Sequence, residues 1–119
     1  MSTETFMQRL RSHPDSKVMA DEDSLHTMLY GVIVELKRMT ETQVSLEKIL
    51  SNLRPSEGRA SLALAVICDL ADMCGVTITG KIRKFDDGLS NEQLRRWYSR
   101  NNFDVRGDSI TRTAYERSI

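Results

Sequence analysis

The chain is poor in aromatic residues, which make up 6% of it, and it carries no net charge because 17 basic residues balance 17 acidic ones. A neutral chain lacks the cationic field that holds a nucleic-acid duplex or an anionic bilayer, so general nucleic-acid and membrane binding are not expected. No apolar run approaches the roughly 18 residues needed to span a bilayer, and the first residues lack the pattern of a signal peptide. The sequence therefore predicts a cytoplasmic protein.

Cysteine and histidine are also scarce, with two residues of each. Cys68 belongs to an apolar helical stripe and Cys74 lies near the end of that stripe, and neither has a C-x-x-C partner. Neither His13 nor His26 has ligand spacing to a cysteine. These shortages argue against a disulfide framework, a metal site and a histidine-dependent nucleophile.

The first 43 residues are expected to form a helical arm. Phe6 to Leu10 is a short amphipathic stretch, and a polar turn with Pro14 follows it. Apolar residues then recur at helical spacing, which favours a helix over 24–39. The alternative is a strand from Leu29 to Leu36, because Gly31 weakens a helix and the next three residues are β-branched.

From Val44 onwards the predicted order is strand, loop, helix, strand, turn, helix and hairpin. A strand covers 44–50, and a largely buried helix covers 62–73 with Gly75 just after its end. A second strand covers 76–85 with a bulge at Gly80, Ser90 caps the next helix, and a hairpin spans 103–115. The strand-helix-strand unit predicts parallel strands in an α+β (mixed α/β) domain, 1–119, whose helices pack on the faces of a mixed sheet.

The loop before the central helix, Arg54 to Ser61, contains a glycine and two arginines. The first N–H groups of a helix lack intrahelical acceptors and the helix dipole is positive there, so such a loop can hold a phosphate. An ordinary turn with a serine near the cap has the same composition.

The next helix places Asn91, Leu94 and Tyr98 at spacings of three and four residues, on one face. The Tyr98 phenol could protonate a departing thiolate, or it could belong to a packed aromatic whose hydroxyl bonds the backbone. Trp97 is interpreted as a core anchor, and the arginines at 95, 96 and 100 as a solvated helix face.

These residues resemble the cofactor-binding half of the GNAT superfamily of acyl-CoA-dependent N-acyltransferases. Residues 44–50 are similar to the strand beside the pantetheine arm, Gly58-Arg59-Ala60 to part of the pyrophosphate loop, and 62–75 to the helix after it. Residues 91–103 resemble the family segment N-x-x-A-x-x-x-Y-x-x-x-G-F. Leu94 and Asn102 depart from it, and Pro55 replaces the Gln or Arg that usually precedes the loop.

The resemblance implies a minimal acetyltransferase that moves an acetyl group from acetyl-CoA to an amine. Tyr98 would protonate the CoA thiolate, and Asn91 would contact the pantetheine arm. The oxyanion would be held by a backbone N–H near Ile49, Leu50 and Ser51. The pyrophosphate would lie on the backbone amides of Glu57, Gly58, Arg59, Ala60 and Ser61.

The segment before Val44 is shorter than the acceptor-binding half of full-length relatives. The acceptor site is therefore abbreviated, borrowed from a second subunit, or absent. One alternative is a catalytically weak or inert GNAT-like module that binds a protein partner, and another is a small fold without a ligand. A homodimer is expected if the first predicted helix leaves Met28, Leu29 and Leu36 uncovered.

Overall fold

A computed structural model describes residues 3–12, 16–20, 24–51, 58–82 and 91–114. Their helices and strands are α1 (Thr3–Arg11), β1 (Ser16–Ala20), β2 (Ser24–Leu29), β3 (Val32–Arg38), β4 (Gln43–Ser51), α2 (Arg59–Cys74), β5 (Thr77–Lys81), α3 (Asn91–Arg100), β6 (Asp104–Arg106) and β7 (Ser109–Arg112). The seven strands form one sheet in the order β1-β2-β3-β4-β5-β7-β6. Only β4 and β5 are parallel, and every other neighbouring pair is antiparallel. This mixed sheet with packed helices confirms the predicted α+β class, including the β4-α2-β5 unit.

The predicted helix over 24–39 is wrong, because these residues form the antiparallel hairpin of β2 and β3. Tyr30 and Gly31 form its two-residue turn, with φ of 54° and 77°, and positive φ at both positions is what a type I′ turn requires. Buried and half-buried residues alternate along each strand. The buried leucines and valines on the two sides of this turn also lie three or four residues apart in sequence. The apolar pattern of the hairpin therefore resembles that of one helical face.

The N-terminal segment is not an arm. Phe6 and Leu10 of α1 are fully buried in the core, and α1 packs against α2. Thr3 fastens the start of α1 to the turn between β3 and β4, where its N–H donates to the Glu41 carbonyl at 2.7 Å and its hydroxyl to the Thr40 carbonyl at 2.8 Å. Helix α1 therefore covers part of the sheet.

A homodimer through residues 24–39 was predicted only if the apolar residues Met28, Leu29 and Leu36 were uncovered, and they are not. Leu29 and Leu36 are buried, and only Met28 of the three apolar residues is half-buried. The apolar face on which this predicted homodimer depended is therefore covered in the fold.

Helix α2 begins at Arg59, three residues earlier than predicted, and ends at Cys74, just before the predicted glycine. Gly75 follows it with φ of 67°, and its N–H donates to the Ala71 carbonyl, as in a left-handed helix end. Leu62 and Met73 are large apolar side chains that lie half-exposed on its outer face, so the helix is buried along one face only. Among the described helices, none is long and apolar enough to cross a bilayer.

The bulge predicted at Gly80 is wrong, because β5 pairs in continuous register with both β4 and β7 through this residue. A Cβ built on Gly80 would lie 2.9 Å from the Leu46 carbonyl oxygen and 3.4 Å from the Ile110 side chain. The glycine therefore permits a close backbone approach. The strand also ends earlier than predicted, at Lys81, and residues 83–85 lie outside the described part of the chain.

We expect Gly80→Ala to lower the free energy of unfolding by about 1 to 3 kcal/mol, because the added methyl meets a backbone carbonyl that cannot move away alone. Urea denaturation measures the loss. The double variant with Ile110→Val should be no more stable than Gly80→Ala, because the valine relieves only the side-chain contact. A Gly80→Ala protein as stable as the parent would contradict this reading.

Candidate functional site

The pairing between the parallel strands β4 and β5 ends in the middle of β4, at a point called the parting below. Their pairing runs from Gln43 opposite Thr77 to Leu46 opposite Gly80, whereas β4 continues to Ser51. Beyond Leu46, the described residues provide no partner on that side of β4. An opening therefore lies between the carboxyl ends of two parallel strands, the position at which open sheets of this kind bind ligands.

A β-bulge in β4 coincides with this parting. Leu36 of β3 pairs with Leu46, whereas its neighbour Glu35 pairs with Lys48. Glu47 is therefore an extra residue of β4 that has no pairing partner in β3. Such a residue bends its strand and redirects the side chains that follow. The bulge thus accounts for the departure of β4 from β5.

Among the described residues, nothing offsets the positive end of the dipole at the N-terminus of α2. Gly58 occupies the cap position with φ of 70°, no described side chain caps the helix, and its first turn contains no acidic residue. Helices α1 and α3 differ, because Glu4 and Glu92 lie in their first turns and offset the positive dipole. The predicted turn glycine is therefore confirmed, and α2 is the described helix best suited to an anion.

Helix α3 is fastened to this end of α2 by Trp97. Its indole Nε1–H donates to the Ser61 hydroxyl oxygen at 2.8 Å, and Ser61 lies in the first turn of α2. Trp97 is half-buried against the core, so the predicted anchoring role is confirmed with a polar component. At the other side of α3, Arg95 donates to the Gly107 carbonyl and contacts Asp108 at 3.2 Å. These contacts fix α3 between α2 and the turn joining β6 and β7.

Tyr98 follows Trp97 and is 6% exposed. Its ring centroid lies 4.9 Å from that of Trp97 and 5.3 Å from that of Phe103, so aromatic packing holds the ring in place. The helix ends at Arg100, and Asn102 in the turn that follows adopts φ of 68°, as its tolerance of left-handed backbone predicts. Tyr98 is therefore a rigidly held phenol one residue from the contact between α2 and α3.

The other predicted site residues are placed as follows. Ile49 is buried in the part of β4 beyond the parting, where the backbone of Leu50 and Ser51 also lies. Arg59, Ala60 and Ser61 form the first turn of α2, and Asn91 is the exposed first residue of α3. Glu57 lies outside the described residues, as do Arg54, Pro55 and Ser90. The roles that the resemblance implies for these residues stay predictions.

The arginines of α3 are partly engaged in ion pairs. Arg96 contacts Glu92 at 2.6 Å, one helical turn away, and Arg95 is held by Asp108. This arrangement agrees with a solvated helix face. Elsewhere, His26 pairs across the sheet with Glu35 at 3.0 Å.

A polar cavity of about 320 Å³, which the sequence analysis missed, adjoins the parting on the sheet face away from the core. Its polar side chains come from three adjacent strands: Ser45, Glu47, Thr79, Lys81, Ser109 and Thr111. In sequence they are only the outward positions of alternating strands. Their juxtaposition depends on the pairing of β4 with β5 and of β5 with β7, which no short-range pattern reveals.

A buried ion pair lies at the opposite end of α2. Arg112 of β7 donates to both carboxylate oxygens of Asp72, at 2.8 Å and 2.9 Å, and both side chains are 7% exposed. The hydrogen bonds that Arg112 donates to Asp72 raise the pKa of Arg112 above its ordinary value. Arg112 also donates to the Cys68 carbonyl at 3.5 Å. This cluster joins α2 to β7 and is structural.

The Cys68 thiol beside this pair should make stability depend on alkaline pH. Its burial raises its pKa from 9.0 to about 11, although the positive charge of Arg112 acts in the opposite direction. Between these values the unfolded chain loses the thiol proton and the folded chain keeps it, so stability falls as the pH rises. We expect Cys68→Ala to remove a decline on the order of 2 kcal/mol between pH 9 and pH 11 in urea denaturation. Parallel pH curves for the two proteins would contradict this.

No protein-family model matches the sequence, and no curated protein matches it significantly. Solved structures do match its fold. The crystal structure of the anti-CRISPR protein AcrVA5 is similar with a TM-score of 0.62 and 24% identity, over 74% of this chain and 96% of that one. Ard1 from Thermoplasma volcanium is similar with a TM-score of 0.60 and 12% identity, over 80% and 72% of the two chains.

A third similar structure is the PaiA N-acetyltransferase from Thermoplasma acidophilum in complex with coenzyme A. Its TM-score is 0.53 and its identity 13%, over 76% of this chain and 59% of that one. Together these likenesses show that the chain has the GNAT-type fold, which confirms the resemblance at the level of fold.

Proposed function

Because the chain has a GNAT-type fold, we propose that it is an N-acyltransferase that transfers an acetyl group from acetyl-CoA to an amine. The observation that carries this proposal is the hydrogen bond between Trp97 and Ser61. It brings together the first turn of α2 and the helix that holds Tyr98. We further propose that residues 1–119 act as one GNAT-like domain.

The first turn of α2 suits the pyrophosphate of the acyl donor. Backbone N–H groups at a helix start have no intrahelical acceptors, and the absence of an acidic residue leaves the dipole available to an anion. Apart from its chain neighbours, no atom of the described residues lies within 4 Å of a Cβ built on Gly58, which leaves room for close approach. The N–H groups of Arg59, Ala60 and Ser61 are the proposed donors, with Glu57 of the preceding loop.

The thioester would occupy the opening beside the outer half of β4. A backbone N–H of Ile49, Leu50 or Ser51 would stabilise the oxyanion, and Asn91 would contact the pantetheine arm. The amine nitrogen attacks the thioester carbonyl carbon, a C–N bond forms and the C–S bond breaks. Tyr98 gives its proton to the departing sulfur and regains one from solvent, and the amine releases one of its own protons to solvent. No covalent enzyme intermediate is required.

Calorimetric titration and a thiol-release assay test this function together. CoA should bind at least about tenfold more tightly than pantetheine, a difference of about 1.4 kcal/mol, because only CoA carries the pyrophosphate. Acetyl-CoA should release free thiol in the presence of an amine panel. Failure of CoA to bind and of every amine to release thiol would favour the non-catalytic, partner-binding alternative.

A further inference from the structure

The polar cavity beside the parting has no role in the handling of the acyl donor described above. It is framed by β4, β5 and β7, and its polar lining consists of four hydroxyl groups, one carboxylate and one ammonium group. Glu47 and Lys81 directly follow Leu46 and Gly80, the last paired residues of β4 and β5. The two charges therefore stand on either side of the point where the strands separate.

These two charges are not used within the described part of the molecule. Neither Glu47 nor Lys81 forms an ion pair with a described residue, whereas surface charges such as Arg96 and Glu92 do. Glu47 is half-buried and Lys81 is exposed. A cavity of about 320 Å³ has the volume of a small-molecule site. Opposite charges on two neighbouring strands, in a cavity otherwise lined by hydroxyl groups, are complementary to a ligand that carries both signs.

We propose that the cavity binds the acceptor, and that the acceptor is a small amine bearing its own anionic group. Glu47 would bind the ammonium form of the amine, which loses a proton to solvent before its nitrogen attacks, and Lys81 would bind the anionic group, a carboxylate or a phosphonate-like group. Thr79 lies on the same strand as Lys81, and Ser109 of β7 is paired with Lys81, so their hydroxyls line the cavity on the side of the anionic group and can bond it. This inference rests on the proposed function and names its substrate class.

Three acceptors with the same amine and spacer test the inference: β-alanine, 2-aminoethylphosphonate and propylamine. The two anionic amines should be acetylated with kcat/KM about fivefold higher than propylamine, the effect of one partly exposed ion pair. Lys81→Gln should abolish this preference. Glu47→Gln should raise KM for all three amines alike.

Lys37→Gln is the matched control, because Lys37 is an exposed strand lysine of β3 that does not line the cavity. It should leave the preference unchanged. Equal kcat/KM for the three acceptors, or a preference that survives Lys81→Gln, would overturn the inference while acyl transfer itself stands. A comparison between the two anionic amines decides between carboxylate and phosphonate.

A direct binding measurement distinguishes failure of the proposed acceptor class from failure of the proposed acetyl transfer. Saturation-transfer NMR of β-alanine and propylamine with the full chain requires no turnover. If no amine is acetylated but β-alanine binds and loses binding in Lys81→Gln, the proposed function fails and the ligand class stands. If propylamine binds as well as β-alanine, the ligand class is wrong.

Discussion

Tyr98→Phe should lower kcat for acetyl transfer by about 10² to 10⁴-fold, the usual contribution of a positioned general acid. The phenylalanine keeps the ring that packs between Trp97 and Phe103 and removes only the hydroxyl. The KM for acetyl-CoA should change by less than about twofold, because the proton is transferred only as the C–S bond breaks. Steady-state thiol release measures both constants.

Tyr30→Phe is the control for this substitution. Tyr30 lies in the turn between β2 and β3, and it is not part of the proposed site. It should retain the kcat of the parent. A Tyr98→Phe protein with parental kcat would show that the Tyr98 phenol is not the general acid. Solvent would then protonate the departing sulfur directly.

Asp72→Ala should lower the free energy of unfolding by about 3 to 5 kcal/mol, because it leaves the Arg112 guanidinium buried without its carboxylate. The double variant Asp72→Leu with Arg112→Met should be more stable than Asp72→Ala, since both buried charges are then gone. Urea denaturation followed by circular dichroism measures all three proteins.

Arg106→Met provides a matched comparison, because Arg106 forms an exposed pair with Asp104 at 3.1 Å. Its effect should stay within about 0.5 kcal/mol, as for most surface pairs. If Asp72→Ala costs no more than Arg106→Met, the buried pair does not stabilise the contact between α2 and β7.

The part of the fold after residue 43 follows from local sequence signals. Helix α2 has a wide apolar stripe and a glycine immediately after its last residue, and both signals act over a few residues. The hairpin of β2 and β3 does not follow so simply. Its inward residues, from Leu25 to Leu36, fit a helical face and a turned pair of strands equally well, and the decisive feature was the positive φ of Tyr30 and Gly31.

The candidate site likewise contains residues that local sequence signals identify and residues that they do not. Tyr98 and the first turn of α2 are recognisable because their spacing and loop composition are local, although the Trp97 contact with Ser61 spans 36 residues and was not foreseen. Glu47 and Lys81 carry no local signal, because a bulge in β4 and the parallel register of β5 place them together. Long-range register is the information that sequence patterns lack.

The crystal structure of the protein with bound CoA is the most direct test of the central claim. The account predicts the pyrophosphate on the backbone N–H groups of Arg59, Ala60 and Ser61, and the sulfur within hydrogen-bond distance of the Tyr98 hydroxyl. CoA bound elsewhere on the surface, or a sulfur placed away from Tyr98, would contradict it.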